Sequence, residues 1–95
     1  MAGPPIMRIV DASTQSVAVS GTSAQSAVIS GSTGYVRLFS TTLCHIRVGS
    51  NPTATTSHMP LGANVPEYFV VPSGMKVAAI QNAASGTLYI TEVTT

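Results

Sequence analysis

Apolar and polar residues alternate along several short stretches of the chain, with the two-residue period that is typical of half-buried β-strands. Residues 15–20 place Val17 and Val19 on one side, and residues 44–48 place every second residue from Cys44 onward on one side. No stretch shows the spacing of an amphipathic helix. The pattern therefore predicts an all-β protein.

One predicted strand has two partly apolar sides. Val36 and Leu38 face one way, and Tyr35, Arg37 and Phe39 face the other. Only one side of such a strand can face the core of a small domain. We therefore expect Tyr35, Arg37 and Phe39 to contact a neighbouring subunit or another partner.

Residues 67–71 and 75–80 are apolar on nearly every side, which is typical of strands covered on both faces. Between them, Pro72 and Gly74 occupy the second and fourth positions of a predicted type I turn. We expect this turn to join the two strands as a tight hairpin. The last predicted strand covers 87–93, with its second and fourth residues facing inward.

Turn-forming residues recur about every ten residues, a spacing that indicates a sandwich or barrel. The expected fold is a small antiparallel β-sandwich or barrel, jelly-roll-like, with about eight strands. Two similar stretches, 16–21 and 26–31, are predicted to be adjacent strands. Residues 50–58 lack an apolar rhythm and are predicted to form an exposed loop.

The N-terminal residues 1–10 are predicted to form an extended arm and the first strand, and residues 11–95 a single domain. The Gly-Pro-Pro run cannot enter a helix interior and withdraws two N–H donors from any sheet. An apolar arm of this kind can bind a partner by strand addition, although a frayed terminus would show the same sequence. The candidate contact residues of the arm are Pro4, Pro5, Ile6, Met7 and Arg8.

Composition indicates how so small a chain is stabilised. It has a single cysteine, so no intrachain disulfide can form, and two histidines thirteen positions apart that offer no metal-ligand set. Neither a metal nor another cofactor is expected. Association with other subunits is then the remaining usual means of stabilising a 95-residue domain.

Charge narrows the choice of partner. Charged residues make up 7% of the chain and the net charge is +1, so the long-range field that steers proteins to nucleic acid is weak. No apolar run reaches the roughly 20 residues of a membrane span, and no signal peptide is recognisable. We expect a soluble protein that binds neither nucleic acid nor membranes.

Catalytic patterns are not found in the sequence, so no enzymatic activity is expected. There is no Gly-x-Ser-x-Gly elbow, and a cupin-type metal barrel would need more histidines and a matching acid. Cys44 and His45 point to opposite faces of a strand; Cys44 is expected in the core and His45 at a solvated or interface position. The three acids are expected to be edge charges, turn partners or members of ion pairs: Asp11, Glu67 and Glu92.

Several segments together carry a resemblance to a known family. They are MAGPPI at 1–6, VRLF at 36–39, CHIRVG at 44–49, VPEYFVVPSGMKV at 65–77 and GTLYITE at 86–92. In these features the chain resembles the small all-β accessory head proteins of tailed bacteriophages, called cement or decoration proteins.

The resemblance implies a homo-oligomer, often a trimer, that binds the lattice of the major capsid protein and resists internal pressure. If it holds, we expect docking through the arm at residues 1–10, which would add a strand to a capsid subunit, and through an apolar, hydroxyl-rich face of the domain. It also implies a location on the capsid surface of the virion, after synthesis in the bacterial cytoplasm. Two alternatives stay open: a ligand- or glycan-binding module around Tyr35 and Tyr89, and a neck or tail component of a phage particle. A small-molecule ligand is not expected.

Overall fold

The computed structural model describes residues 8–29 and 35–94, which form nine β-strands and no helix. The strands are β1 Arg8–Ile9, β2 Gln15–Val19, β3 Ala24–Gln25, β4 Tyr35–Ser40, β5 Cys44–Gly49, β6 Met59–Leu61, β7 Glu67–Val70, β8 Lys76–Gln81 and β9 Gly86–Thr94. The prediction of a small antiparallel all-β sandwich is confirmed, with nine strands where about eight were expected.

The strands form two antiparallel sheets. Sheet A has the order β1-β9-β4-β7, with β2 also paired to β9, and sheet B has the order β3-β8-β5-β6. The pairs are nested: β2 pairs with β9, β3 with β8, β4 with β7 and β5 with β6. One long hairpin, rolled up into two sheets, produces this order, which makes the fold a jelly roll.

The expected hairpin between β7 and β8 is wrong. β7 lies in sheet A and β8 in sheet B, because along each arm of the rolled hairpin, β2 to β5 and β6 to β9, the chain passes from one sheet to the other between strands. The connecting turn begins at Pro72, whose carbonyl oxygen accepts a hydrogen bond from the Met75 N–H at 3.2 Å. Gly74 therefore occupies the third position of the turn, with φ of 91°, a value that favours glycine.

The two similar stretches 16–21 and 26–31 are not adjacent strands of one sheet, contrary to expectation. β2 belongs to sheet A, whereas β3 and the residues after it run along β8 in sheet B. The Ser26 N–H donates to the Val77 carbonyl oxygen at 2.8 Å, and Ile29 continues this edge with a fully buried side chain. Two stretches with similar local sequence thus belong to different sheets.

The core lies between the sheets and is built from the inward positions of both. It comprises Val17, Val19, Ile29, Val36, Leu38, Cys44, Ile46, Leu61, Val71, Val77, Ala79, Leu88 and Ile90. The expected inward positions of Leu88 and Ile90 and the expected core position of Cys44 are confirmed. In β2, β4, β5 and β9, alternation along the strand therefore identified the buried face without knowledge of the pairing partner.

A loop of the same chain lies against part of the outer face of sheet B, where Arg47 donates to the Thr53 carbonyl oxygen at 3.3 Å. The loop at 50–58 contains no strand, as predicted, but it is only partly exposed, because Pro52 and Ala54 are buried. The Ala54 N–H donates to Ser23 Oγ at 2.8 Å, which ties the loop across the sheet. Ala78 of β8 lies outside the core cluster, yet its exposed fraction is 0%.

Candidate interaction surface on the five-stranded sheet

The outer face of sheet A carries several exposed large side chains, among them Tyr68, Val70 and Tyr89, which are 50%, 69% and 41% exposed. It carries all three tyrosines of the chain and one of its two phenylalanines. We call this surface the aromatic face and define it as Ile9, Tyr35, Arg37, Phe39, Tyr68, Val70 and Tyr89. Its concentration of large apolar side chains is what a docking surface requires.

Strand register places these residues in rows across the sheet. Tyr35 on β4 lies opposite Val70 on β7, and one row further along Arg37 lies opposite Tyr68. On the other side of β4, Phe39 lies opposite Tyr89 of β9. Directly opposite residues of antiparallel strands have Cβ atoms about 5 Å apart, so neighbouring rings and aliphatic groups can pack together.

Arg37 is the only charged residue of the aromatic face and lies near its centre. Its guanidinium carbon is 5.4 Å from the centroid of the Phe39 ring, within the range of a cation–π contact. The side chain is partly buried, so this contact restrains it. A restrained guanidinium presents fixed N–H donors to carbonyl or carboxylate oxygens of a docked partner.

A depression of about 360 Å³ interrupts the aromatic face between β1 and β7. Its lining mixes apolar, hydroxyl and charged groups from four strands and one loop: Ile9, Thr14, Arg37, Tyr68, Thr91 and Val93. Thr14 Oγ1 and Thr91 Oγ1 are hydrogen-bonded to each other at 2.9 Å. The aromatic face is therefore indented at this position and offers hydrogen-bonding groups there.

Three of the predicted contact residues share this surface. Tyr35, Arg37 and Phe39 lie on the outer side of β4, as their alternation with buried Val36 and Leu38 indicated. That they bind a partner stays a prediction.

The predicted arm residues have a different position. Arg8 is exposed in β1, where it pairs with Thr94 at the edge of sheet A. The other four arm residues lie outside the described residues: Pro4, Pro5, Ile6 and Met7.

Sequence reasoning missed the contribution of β7. That strand was expected to be covered on both faces, but it is an edge strand on which Tyr68 is 50% and Val70 69% exposed. Phe69 between them packs against the core. The only signal in the sequence was the alternation of Tyr68 and Val70 with Phe69, which the apolar character of all three residues hid.

The described residues bring together few groups with catalytic chemistry. Cys44 is fully buried, and burial raises the pKa of its thiol despite an opposing hydrogen bond with Ser40. Cys44 faces the core and His45 the outer side of sheet B, as expected. Within 8–29 and 35–94, no group of three or more His, Cys, Asp or Glu side chains could hold a metal ion.

His45 is buried, which corrects the expectation of a solvated or interface position. Its Nδ1 lies 2.9 Å from the His58 carbonyl oxygen, and its Nε2 lies 2.9 Å from Asn82 Oδ1. Oxygen acceptors on both sides favour N–H on both ring nitrogens. The hydrogen bond with Asn82, followed by that with His58, therefore raises the pKa of His45, against the opposing effect of burial.

Glu92 is also less exposed than expected for an edge charge. It occupies an inward position of β9 opposite Val36 and is only 5% exposed. Its backbone N–H donates to Ser13 Oγ at 3.0 Å, and the Ser13 hydroxyl donates to the Glu92 carbonyl oxygen at 3.3 Å. These bonds anchor the segment between β1 and β2 to the sheet.

Searches among known proteins return nothing similar: no family model, no curated protein and no solved structure matches the chain. The resemblance to cement proteins therefore stays a prediction from the sequence. In the part of the chain that the structure describes, no helix is long and apolar enough to cross a membrane.

Proposed function

We propose that this chain is a non-enzymatic structural protein of a phage virion that docks on the lattice of the major capsid protein as a cement or decoration protein. The aromatic face makes the contact. The observation that carries the proposal is a difference between the outer faces of the two sheets. On sheet B, Arg47 is hydrogen-bonded to the loop at 50–58 and Ala78 is fully buried, whereas Tyr68, Val70 and Tyr89 of sheet A are 50%, 69% and 41% exposed.

The chemistry of the aromatic face suits a protein partner. Aromatic residues and arginine are enriched in the cores of protein–protein interfaces and supply most of the residues that dominate binding energy. Here Tyr68 and Tyr89 flank the strand that carries Arg37, so a buried guanidinium would be surrounded by apolar groups. Such a centre provides affinity without long-range charge.

The low charge of the chain suits a crowded, repeating surface. Charged residues amount to 7% of the chain and the net charge is +1, so neighbouring copies repel one another weakly. When many copies occupy adjacent sites of one lattice, modest contacts add up to a stable layer, because a copy that also touches its neighbours binds at a high effective concentration.

The first experiment measures the mass of the purified protein by light scattering and its co-sedimentation with DNA-free heads of the phage that carries the gene. We expect an oligomer that pellets with heads in a fixed ratio to the major capsid protein. A monomer that stays in the supernatant at every head concentration would refute the proposal. Disassembled subunits of the major capsid protein, which lack the lattice, serve as the control.

The aromatic face also favours a second candidate function, the binding of a glycan. Tyrosine rings exposed on one sheet face can stack on sugar rings, and the depression beside Tyr68 offers hydroxyl and guanidinium groups for hydrogen bonding. A glycan array separates the two functions. Saturable binding of one glycan class that is lost in Tyr68→Ala, without co-sedimentation with heads, would favour this second function.

A further inference from the structure

We propose that the open edge of β7, together with the apolar groove behind it, is an acceptor site for residues 4–7 of a second copy of this chain. The copies would thereby be joined head to tail. This inference stands on the groove and the chain's own N-terminal segment. It does not depend on which lattice or glycan the aromatic face binds.

The groove lies where the two sheets part. It encloses about 220 Å³ between the edge strands β7 and β6 and the strands next to them. Its lining is almost wholly apolar: Leu38, Ile46, Arg47, Val48, Met59, Phe69, Val70 and Val71. Val48 and Met59 are 41% and 43% exposed, so the core is incompletely closed along this side.

The edge above the groove is ready for another strand. β7 pairs with β4 on one side, and among the described residues no strand pairs with its other side. An unpaired edge presents N–H and C=O groups that an extended segment can bond, and its side chains decide which segment fits. A strand added beside β7 would roof the groove and direct alternate side chains into it.

The N-terminal segment has the right length and composition to be that strand. Residues 4–7 span about 13 Å when extended at about 3.3 Å per residue, which matches the four residues of β7. An added strand would be the new edge of the sheet, where Pro5 is tolerated if its nitrogen faces solvent, and Pro4 is tolerated as the first residue of the strand. The segment carries no charge before Arg8, as an apolar groove requires.

One register of the added strand places Ile6 in the groove and Met7 on the aromatic face. With antiparallel pairing and Ile6 opposite Phe69, the side chain of Ile6 points into the groove, because opposite residues share a face. Met7 then lies opposite Tyr68 and extends the aromatic face. The register is a specific prediction, since a shift by one residue would exchange the two side chains.

The donor and the acceptor lie at opposite edges of the same sheet. Residue 8 begins β1 at one edge of sheet A, and β7 forms the other edge. The arm therefore leaves the domain at the edge away from the groove, and a contact between the arm of one copy and β7 of the next is heterologous. Contacts of this type close into rings when the rotation between copies permits, which is how a trimer would arise.

Disulfide trapping tests the register. Two single variants, Ile6→Cys and Met59→Cys, are mixed and oxidised, and the linked species is measured on non-reducing gels. The native Cys44 thiol is fully buried and does not compete. We expect efficient linkage of Ile6→Cys to Met59→Cys. The matched control, Met7→Cys with Met59→Cys, should link far less, because residue 7 faces away from the groove.

Light scattering of Ile6→Asp supplies the second readout, and an unfolding curve establishes that the variant is folded. We expect loss of the oligomer at concentrations where the parent chain is oligomeric. Three results would overturn the inference. They are equal disulfide linkage of Met59→Cys to Ile6→Cys and to Met7→Cys, an unchanged oligomer in Ile6→Asp, and a parent chain that is monomeric at every concentration. A parent oligomer that fails to bind heads would refute the proposed function alone.

Discussion

Removing the tyrosines of the aromatic face tests whether this surface docks on a partner. Tyr68 is 50% exposed and Tyr89 41% exposed, on strands that flank β4 from opposite sides. A fully buried tyrosine covers about 200 Å², so each side chain has roughly 100 Å² left to bury in a complex. The aromatic face therefore holds unused apolar area at two separate positions.

The size of the effect follows from that area. At about 25 cal/mol per Å², burying roughly 100 Å² contributes about 2.5 kcal/mol, and ordering the side chain costs about 0.5–1.5 kcal/mol. The net loss on truncation is about 1–2 kcal/mol for each tyrosine, or a factor of roughly 5–30 in the dissociation constant. Because Tyr68 and Tyr89 are separated by β4, we expect the two losses to be nearly additive.

The assay is co-sedimentation with phage heads, measured for Tyr68→Ala, Tyr89→Ala and the double variant. Tyr68→Phe is the matched control, since it keeps the ring and its area, and it should bind within about twofold of the parent chain. Val65→Ala, at a residue 53% exposed outside the aromatic face, should leave binding unchanged. Unfolding curves establish that each variant is folded at the assay temperature. Binding of the double variant within twofold of the parent would refute the role of this surface.

Three further predictions concern the domain itself. Gly86→Ala should lower the free energy of unfolding by about 1–3 kcal/mol, because the new Cβ would approach the Thr41 hydroxyl to 2.6 Å; an unchanged denaturation midpoint would contradict this. The raised pKa of His45 means that its protonated form stabilises the fold: this contribution is complete below pH 6.5 and is lost as pH rises through the folded-state pKa. The free energy of unfolding, measured as pH rises from below 6.5, should show this loss in the parent chain and not in His45→Gln. The same pH dependence in the two proteins would contradict the prediction. The Cys44 thiol, buried and with a raised pKa, should react with a thiol reagent only after unfolding, so rapid labelling of the native protein would show that the core opens.

Part of the aromatic face could be read from the sequence. The alternation of Tyr35, Arg37 and Phe39 with two buried residues placed the three outward, because neighbouring residues of a strand must face opposite ways. The contribution of Tyr68 could not be read in the same way. Its outward position depends on β7 being a sheet edge beside β4, and an apolar strand has the same local pattern at an edge or in the middle.

Local sequence also could not show the buried state of His45. A histidine at an outward strand position is solvated unless another segment covers it, and here the loop at 50–58 and Asn82 do so from positions distant in the chain. The path of the loop at 50–58 decides how much of the outer face of sheet B is exposed. The residues of this loop show no alternation of apolar and polar positions from which that path could be predicted.

The sequence by itself determined the fold class, the positions of the longer strands and the inward faces of β2, β4, β5 and β9, because these depend on side chains two residues apart. Tertiary structure alone decided the pairing. The turn at Pro72 and Gly74 is compatible with a hairpin, yet the chain crosses between the sheets there, since nesting β4 with β7 and β3 with β8 closes one core from both sides. Pairing in a jelly roll joins residues far apart in the chain, and no local pattern specifies those partners.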